Sequence, residues 1–221
     1  KAVLPQSLLG ISKFLMEKKL SQFAKKNKSI FVSTVRFANV CFSEGSYLKY
    51  AKERIEKKVS FGLPLNIKRF FITHDEAISL CLKSILKKNK NKIIIPSSKL
   101  IKKDIKLEKL VKAILNIYGY NIYFTNKILK VKPKYFPVIP NNTELEGQKN
   151  FEEFFDLKKE KPIKLIKDSV EVIALKKELN SNIKIKKLLN LNSKEKIIKY
   201  LEKEISFFST KKKFKIVSQI I

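Results

Sequence analysis

Residues 30–86 read IFVSTVRFANVCFSEGSYLKYAKERIEKKVSFGLPLNIKRFFITHDEAISLCLKSIL. The run Ile30–Val35 is apolar and β-branched, which is typical of a buried strand, and the small polar loop Ser43–Ser46 lies downstream of it. A helix, the run 68–73 and a second helix that opens at Asp75 complete the stretch. Open α/β sheets bind ligands where a strand ends in a polar loop before a helix, so this stretch predicts an α/β fold and the position of its ligand site.

Three blocks within this stretch resemble a known family. They are Arg36-Phe37-Ala38-Asn39-Val40, the Ser43–Ser46 loop, and Arg69-Phe70-Phe71-Ile72-Thr73 ahead of an acidic helix start. In that order they are similar to the nucleotide-sugar 4,6-dehydratases of bacterial surface polysaccharide and nonulosonic acid biosynthesis, within the extended short-chain dehydrogenase/reductase family. The resemblance implies the C-terminal part of a Rossmann-like NAD(P)-binding fold with a small mixed α/β substrate-binding lobe. We expect residues 1–157 to form this core and lobe, and residues 158–221 to add a lysine-rich strand and helices that pack on the same domain.

A helix predicted near the N-terminus carries the candidate catalytic residue. Apolar residues recur at helical spacing from Leu8 to Phe23, with Ser7 as a plausible start signal. In the resembled family this helix carries Y-x-x-x-K, and Lys13 matches the lysine while Leu9 stands where the tyrosine belongs. Because residues four apart share a helix face, the resemblance implies that Lys13 contacts the nicotinamide ribose and assists catalysis. The alternative is that Lys13 is one surface lysine among many.

The resemblance also implies binding roles along the first block and its loop. Phe37 and Ala38 would wall the nicotinamide side of the cofactor, and Asn39 would bind the nucleotide sugar. Ser46, in the polar loop, would contact the same substrate. For Phe37 and Ala38, ordinary packing at the end of a strand is an equally good explanation.

Arg69 and Lys149 are the candidate cations for the substrate diphosphate. Arg69 stands before an apolar run in a chain whose basic residues are nearly all lysine, and its planar fork can bind a phosphate bidentately. The alternative for Arg69 is an ion pair with Asp75 or Glu76. Lys149 precedes the run Phe151–Phe155, FEEFF, which resembles a C-terminal signature of the dehydratases that helps to close over the diphosphate.

The formal net charge of +29 restricts the possible partners less than its size suggests. Only Arg36, Arg54 and Arg69 among the 49 basic residues are arginine, and the lysines are spread along the whole chain. This distribution favours solvated faces over a nucleic-acid surface, so we expect no specific nucleic-acid partner. A basic polyanion-binding module without catalysis is the alternative. The longest apolar runs are too short to span a bilayer, so no membrane partner is expected either.

The two cysteines argue against a metal or disulfide framework. Cys41 and Cys81 lie far apart, without a CxxC pattern or a companion histidine cluster, so we expect no metal site. Reduced thiols fit a cytoplasmic location. His74, the only histidine, stands beside an Asp-Glu helix start and is left unassigned.

The glycine-rich turn that binds a dinucleotide pyrophosphate is missing from the sequence, because its five glycines lie far apart. Together with a start at Lys1 rather than methionine, this predicts a fragment that is inactive alone. The resemblance implies that the parent protein is a homo-oligomeric, NAD- or NADP-dependent dehydratase that removes water from UDP- or GDP-linked N-acetylglucosamine. An epimerase or reductase of the same family is the alternative, and leucine in place of the tyrosine, at Leu9, weighs against it.

Overall fold

The protein, described here by a computed structural model, consists of strands and helices that alternate along the chain. The described residues are 2–86, 92–101, 104–141, 152–156, 160–166, 169–174 and 185–205. The helices are α1 (Leu8–Lys26), α2 (Tyr47–Glu56), α3 (His74–Leu86), α4 (Leu107–Ile117), α5 (Ile185–Leu189) and α6 (Lys194–Glu204). The strands are β1 (Ser33–Val35), β2 (Asn39–Val40), β3 (Phe61–Pro64), β4 (Lys68–Arg69), β5 (Phe71–Ile72), β6 (Lys92–Pro96), β7 (Ile105–Lys106), β8 (Asn121–Phe124), β9 (Tyr135–Asn141), β10 (Glu160–Ile166) and β11 (Ser169–Ala174).

A four-stranded mixed sheet has the strand order β1-β6-β11-β10. β1 runs parallel to β6, and β11 runs antiparallel to both of its neighbours. The β-branched run Ile93-Ile94-Ile95 forms most of β6, as expected of a strand in the interior of a sheet. α3 lies against this sheet through Leu80, which packs with Ile94 and with Ile72 of β5. The parallel strands and the helices between them confirm the predicted α/β fold class.

The strand predicted from Ile30 is shorter in the structure. β1 begins at Ser33, which pairs with Lys92 at the start of β6, and Ile30 and Phe31 before it are exposed. The prediction was wrong for the first residues of the run because the pairing with β6, and not the apolar pattern alone, sets where this strand begins.

A three-stranded parallel sheet, β3-β9-β8, forms the second sheet, and α2 and α4 pack against it. α4 presents apolar residues at helical spacing, and its Val111 and Leu115 are fully buried. They pack with Phe61 of β3 and Phe136 of β9 in one hydrophobic cluster. This sheet and its two helices share one hydrophobic core, and the predicted substrate-binding lobe stays a prediction.

Side-chain caps fix the starts of four helices. Ser7, Ser46 and Ser193 each accept a hydrogen bond from the backbone N–H three residues further on, at 3.1, 3.3 and 3.2 Å. At α3 the cap is reciprocal: the Glu76 N–H donates to Thr73 Oγ1, and the Thr73 N–H donates to Glu76 Oε2. The loop that ends at Ser46 therefore enters α2 at a defined point.

Described residues beyond 158 contact the earlier part of the chain through the four-stranded sheet and through α1. β10 and β11 extend the four-stranded sheet beyond β6. At the end of the described chain, Leu201 and Ile205 pack against Ile11 and Phe14 of α1. The division of the chain between residues 157 and 158 stays a prediction.

Candidate functional site

The guanidinium of Arg36, directly after β1, uses all five of its N–H donors. Nε and Nη2 donate to the two carboxylate oxygens of Glu17 at 2.9 and 2.7 Å, and Nη1 and Nη2 donate to those of Glu160 at 2.8 and 2.7 Å. The remaining donor, on Nη1, binds the Phe154 carbonyl oxygen at 2.8 Å. Because the planar fork is matched by a carboxylate on two sides, it joins α1, the end of β1 and β10 at one point.

This ion-pair network is nearly buried, and it is structural. The side chains of Arg36, Glu17 and Glu160 are 11, 17 and 12% exposed. Burial alone would lower the pKa of the Arg36 guanidinium, but the hydrogen bonds and charges of Glu17 and Glu160 raise it above its ordinary value. Arg36 therefore stays charged and has no free donor for a ligand.

The same network positions the candidate catalytic lysine. Lys13 lies one helical turn before Glu17, so the two share a face of α1. Because Glu17 binds Arg36, this face is held beside the carboxyl end of β1. The side chain of Lys13 is exposed, and so is that of Leu9 (52%) one turn further back. Both positions of the Y-x-x-x-K pattern are thus open to solvent, and the catalytic role of Lys13 stays a prediction.

Asn39, at the start of β2, joins the two sequence blocks. Its backbone N–H and its Nδ2 both donate to the Phe70 carbonyl, at 3.0 and 2.9 Å, and Nδ2 also donates to Glu152 Oε1 at 2.7 Å. Both protons of the amide nitrogen are therefore used within the protein. Oδ1 of Asn39 accepts no hydrogen bond from the residues that the structure describes, so it is the atom through which Asn39 could bind a substrate.

The described residues 152–156 lie across both blocks. Glu152 Oε2 accepts a hydrogen bond from the Phe70 N–H at 2.8 Å, and the rings of Phe154 and Phe70 lie 6.0 Å apart. The Phe154 carbonyl accepts from Arg36. This segment includes four residues of the FEEFF run, and its hydrogen bonds to Phe70 and Arg36 connect the two blocks.

Replacing Glu152 by alanine is expected to lower the free energy of unfolding by about 2 kcal/mol, because the Phe70 N–H and one Asn39 proton lose their acceptor. Urea unfolding followed by circular dichroism measures this loss. Glu53→Ala is the control, since the Glu53 carboxylate is half exposed and 4.0 Å from Lys49, and its effect should stay within about 0.5 kcal/mol. Equal effects of the two variants would contradict the bridging role of Glu152.

Phe37 and Ala38 are placed differently although they are adjacent. The Phe37 side chain is 42% exposed, so its ring can lie against a bound molecule. Ala38 is buried in the cluster that contains Ile72 and Leu80. Packing is therefore sufficient to explain why alanine stands at Ala38. The Phe37 ring is open to solvent, so its predicted contact with the nicotinamide is sterically allowed.

Arg69 lies in β4, one residue before the Phe70 that Asn39 contacts. Its Nη1 donates to the Lys68 carbonyl at 2.7 Å, and it forms no ion pair with any residue in the described ranges. The alternative of a pair with Glu76 fails for a definite reason, because that carboxylate caps α3 through Thr73. Most of the Arg69 fork is thus free to bind an anion, and its diphosphate role stays a prediction.

The remaining substrate candidates are less informative. The Ser46 hydroxyl accepts from the Lys49 N–H at 3.3 Å and so serves as the cap of α2. That bond leaves the hydroxyl proton for another partner. Lys149 lies outside the described residues.

Three further properties of the described residues concern the cysteines, possible metal ligands and the length of apolar helices. Cys41 and Cys81 are free thiols, and burial, with a smaller effect of the Glu76 charge, raises the pKa of Cys41. In the described ranges no group of three or more His, Cys, Asp and Glu side chains could hold a metal ion. None of the helices there combines the length and the apolar character that crossing a bilayer demands.

The side chains present fit one end of a dinucleotide. The exposed ammonium of Lys13 suits ribose hydroxyls, and the exposed ring of Phe37 suits the flat nicotinamide. For the pyrophosphate, the sequence contains no glycine-rich turn that would let it approach a helix N-terminus. This chain can therefore contribute the nicotinamide-ribose half of a dinucleotide site.

Sequence reasoning missed the residues that hold the site together, which are Glu17, Arg36, Glu152 and Glu160. Two of them gave a signal, because Arg36 is one of three arginines in a chain of lysines and Glu152 lies in the FEEFF run. A buried bidentate pair needs the arginine fork, whereas a solvated face does not. Its acidic partners Glu17 and Glu160 lie 19 and 124 residues away, and nothing in the sequence distinguishes them from other glutamates.

Comparison with known proteins gives the family. The family described as polysaccharide biosynthesis protein matches residues 1–136, which is more than half of the chain. The chain belongs to this family. The match includes α1, both sequence blocks and the described residues around Asn39 and Arg69.

Two proteins that are similar to this chain are longer than the chain itself. This chain is 31% identical over 219 residues to an uncharacterized membrane protein from Methanocaldococcus jannaschii. The match covers 94% of this chain and 60% of that protein. Among solved structures, Pen from Bacillus thuringiensis has a TM-score of 0.62 at 18% identity, covering 94% of this chain and 61% of Pen. The chain thus spans about three fifths of the length of these relatives. The likeness to Pen shows the Rossmann-like α/β fold.

A second solved structure is more distant. UDP-N-acetylglucosamine 4-epimerase from Bacillus cereus has a TM-score of 0.40 at 14% identity, covering 61% of this chain and 44% of the epimerase. A similarity at that level favours no particular reaction for this chain.

Proposed function

We propose that this protein is an NAD(P)-dependent nucleotide-sugar 4,6-dehydratase acting on UDP- or GDP-linked N-acetylglucosamine. The observation that carries the proposal is the parallel pairing of β2 with β5, in which Asn39 lies opposite Phe71 and Val40 opposite Ile72. This pairing brings together the two blocks on which the resemblance to the dehydratases rests. Both blocks lie within the residues that match the polysaccharide biosynthesis family.

Each candidate side chain has a role that its position permits. Lys13 binds the ribose of the nicotinamide and stabilises negative charge at the reacting oxygen, and the Phe37 ring lies against the nicotinamide. Asn39 binds the sugar nucleotide through Oδ1. Arg69 binds the diphosphate through the guanidinium N–H groups that do not donate to the Lys68 carbonyl. The hydroxyl proton of Ser46 is available to the same substrate.

The reaction removes one water from the sugar. NAD or NADP, when bound, would accept the hydride from C4 and return it to C6. Loss of the C4 hydride and of the proton of the C4 hydroxyl leaves a carbonyl that acidifies the C5 proton. This proton and the C6 hydroxyl leave as water, which gives a C5–C6 double bond, and C5 takes a proton from solvent as the hydride is returned to C6. The product is a 4-keto-6-deoxy sugar nucleotide, and the residues of this chain hold the substrate in place during these steps.

The experiment is to incubate the whole protein with UDP- and GDP-N-acetylglucosamine in deuterium oxide and to analyse the products by mass spectrometry and NMR. A product that has lost one water and carries deuterium at C5 supports the dehydratase. An isomer of unchanged composition would identify an epimerase instead, and net consumption of NADH or NADPH would identify a reductase. If neither substrate changes, the proposal is overturned.

Replacing Arg69 by alanine is expected to weaken binding of the nucleotide sugar by about 1.5–3 kcal/mol, the value of a charge-assisted hydrogen bond. Isothermal titration calorimetry with the whole protein measures the change. Lys68→Ala is the matched control, because it removes an adjacent cation with a half-exposed side chain and should leave the affinity nearly unchanged. Arg69→Lys should fall between the two, since it keeps the charge but loses the fork. Unchanged affinity in Arg69→Ala would remove Arg69 from the site.

A further inference from the structure

Exposed apolar and basic side chains occur together in β8, in the start of β9 and in the loop between them. We call this surface the basic-apolar patch. Its apolar members are Tyr123, Phe124, Ile128, Leu129 and Tyr135, and its basic members are Lys127, Lys130, Lys132 and Lys134. All nine side chains are exposed.

The patch has a defined shape because backbone pairing holds its parts together. β8 and β9 pair with Asn121 opposite Tyr135, so Tyr123 and Tyr135 lie on the outer face while Ile122 and Phe136 face the core. Two backbone hydrogen bonds of 3.2 Å join Lys132 and Tyr135 in both directions. Further back in the loop, Lys130 pairs with Val59.

Among the described residues, no carboxylate neutralises the positive charge of the patch. The sequence contains no aspartate or glutamate between Glu108 and Glu144. None of the four lysines forms an ion pair within the described part of the chain, in contrast to Lys49 and Lys52 of α2, which pair with glutamates. The patch therefore presents four exposed ammonium groups around apolar side chains.

We propose that the basic-apolar patch binds the surface of membranes that contain anionic phospholipids. The lysines attract the headgroup phosphates, and the apolar side chains enter the boundary between headgroups and acyl chains. Tyr123 and Tyr135 suit this depth because each has an apolar ring and a polar hydroxyl. The proposal goes beyond the proposed function and does not depend on it.

The composition of the patch favours lipid over other occupants. Tyr123, Phe124 and Tyr135 could stack on nucleic-acid bases, but the aliphatic Ile128 and Leu129, 74 and 39% exposed, could not, whereas all five side chains suit a lipid boundary. A second copy of this chain would bring lysines against lysines. No membrane partner was expected from the sequence, because no apolar run spans a bilayer, but binding at the surface needs no such run.

The test is co-sedimentation of the full chain with vesicles of phosphatidylcholine alone or with about a third phosphatidylglycerol, at near-physiological salt. Replacing all four patch lysines by glutamine should weaken binding to the anionic vesicles on the order of 100-fold or more. Because the whole protein is basic, the matched control removes four exposed lysines elsewhere, at Lys19, Lys25, Lys26 and Lys28. That variant should lose much less.

A second pair of variants separates lipid binding from general attraction to polyanions. The double variant Ile128→Ser, Leu129→Ser keeps the net charge but removes two apolar side chains from the patch. It should weaken vesicle binding about 10-fold or more. The control is Leu82→Ser with Ile85→Ser on α3, where Ile85 is also 74% exposed, and it should bind like the unaltered protein.

The proposal is overturned if the Ile128 and Leu129 variant binds vesicles as well as its control does. It is also overturned if the two lysine variants lose binding equally, which would indicate attraction by net charge alone. A single-stranded oligonucleotide is the comparison ligand. If only its binding depends on the patch lysines, the surface is a nucleic-acid site and not a membrane site.

Discussion

The Arg36→Met variant is expected to lose about 3–5 kcal/mol of unfolding free energy, one of the largest effects that a single substitution in this chain can have. Methionine keeps much of the side-chain volume but leaves Glu17 and Glu160 facing each other without a cation. The Phe154 carbonyl loses its donor as well. Urea unfolding followed by circular dichroism measures the loss, and native domains have so little stability that the variant should be close to unfolding at 37 °C.

Two comparisons test whether the loss comes from the uncompensated charges. Arg69→Met removes the same group from a position where it binds a single carbonyl, so it should change stability by less than about 1 kcal/mol. Adding Glu17→Gln and Glu160→Gln to Arg36→Met removes the two carboxylate charges and should restore a large part of the stability. A loss below about 1 kcal/mol in Arg36→Met would mean that the network contributes little in solution.

Local signals were sufficient for much of the fold. Ser7, predicted as a start signal, caps α1, and Gly119, with a φ of 78°, stands two residues beyond the end of α4, a position that glycine often takes after a helix. The apolar, β-branched residues Ile93-Ile94-Ile95 form most of β6. These features depend on residues within one or two turns or strands of each other, so a single sequence contains the necessary information.

Other strands were hidden by residues that usually end strands. β9 contains Pro137 and Pro140, and β10 contains Pro162, so neither run reads as a strand from its sequence. β9 forms because its Phe136 and Val138 are completely buried against α4 and β3. Tertiary packing outweighs the local preference here, and no local pattern could have shown it.

The two blocks of the candidate site could be found in the sequence, but their supporting contacts could not. The blocks around Asn39 and Arg69 were found by resemblance, and the pairing of β2 with β5 brings them together. The acceptors of Asn39 and Arg36 are 113 and 124 residues away in the sequence, at Glu152 and Glu160. Neither the FEEFF run around Glu152 nor the lysine-rich segment around Glu160 shows which distant donor its glutamate binds, so these contacts required the structure.

The Lys13→Met variant is expected to lower the turnover number of the whole protein by about 100- to 1,000-fold, the usual cost of removing one preorganised electrostatic group. Its stability should change by less than about 0.5 kcal/mol, because the side chain is exposed and tied to nothing that the structure describes. Steady-state kinetics with the nucleotide sugar, together with urea unfolding, separates these two effects.

Lys19→Met is the matched control for Lys13→Met, because Lys19 is an exposed lysine of the same helix but lies on a different face from Lys13 and Glu17. It should keep full turnover. If the two variants are equally active, Lys13 is an ordinary surface lysine and has no catalytic role, despite its match to the Y-x-x-x-K pattern. If only Lys13→Met is impaired and its stability is unchanged, the loss cannot come from the fold. The face of α1 that the Glu17–Arg36 pair holds beside β1 would then be part of the reaction centre. That centre would work with Leu9 at the position where the family pattern has tyrosine.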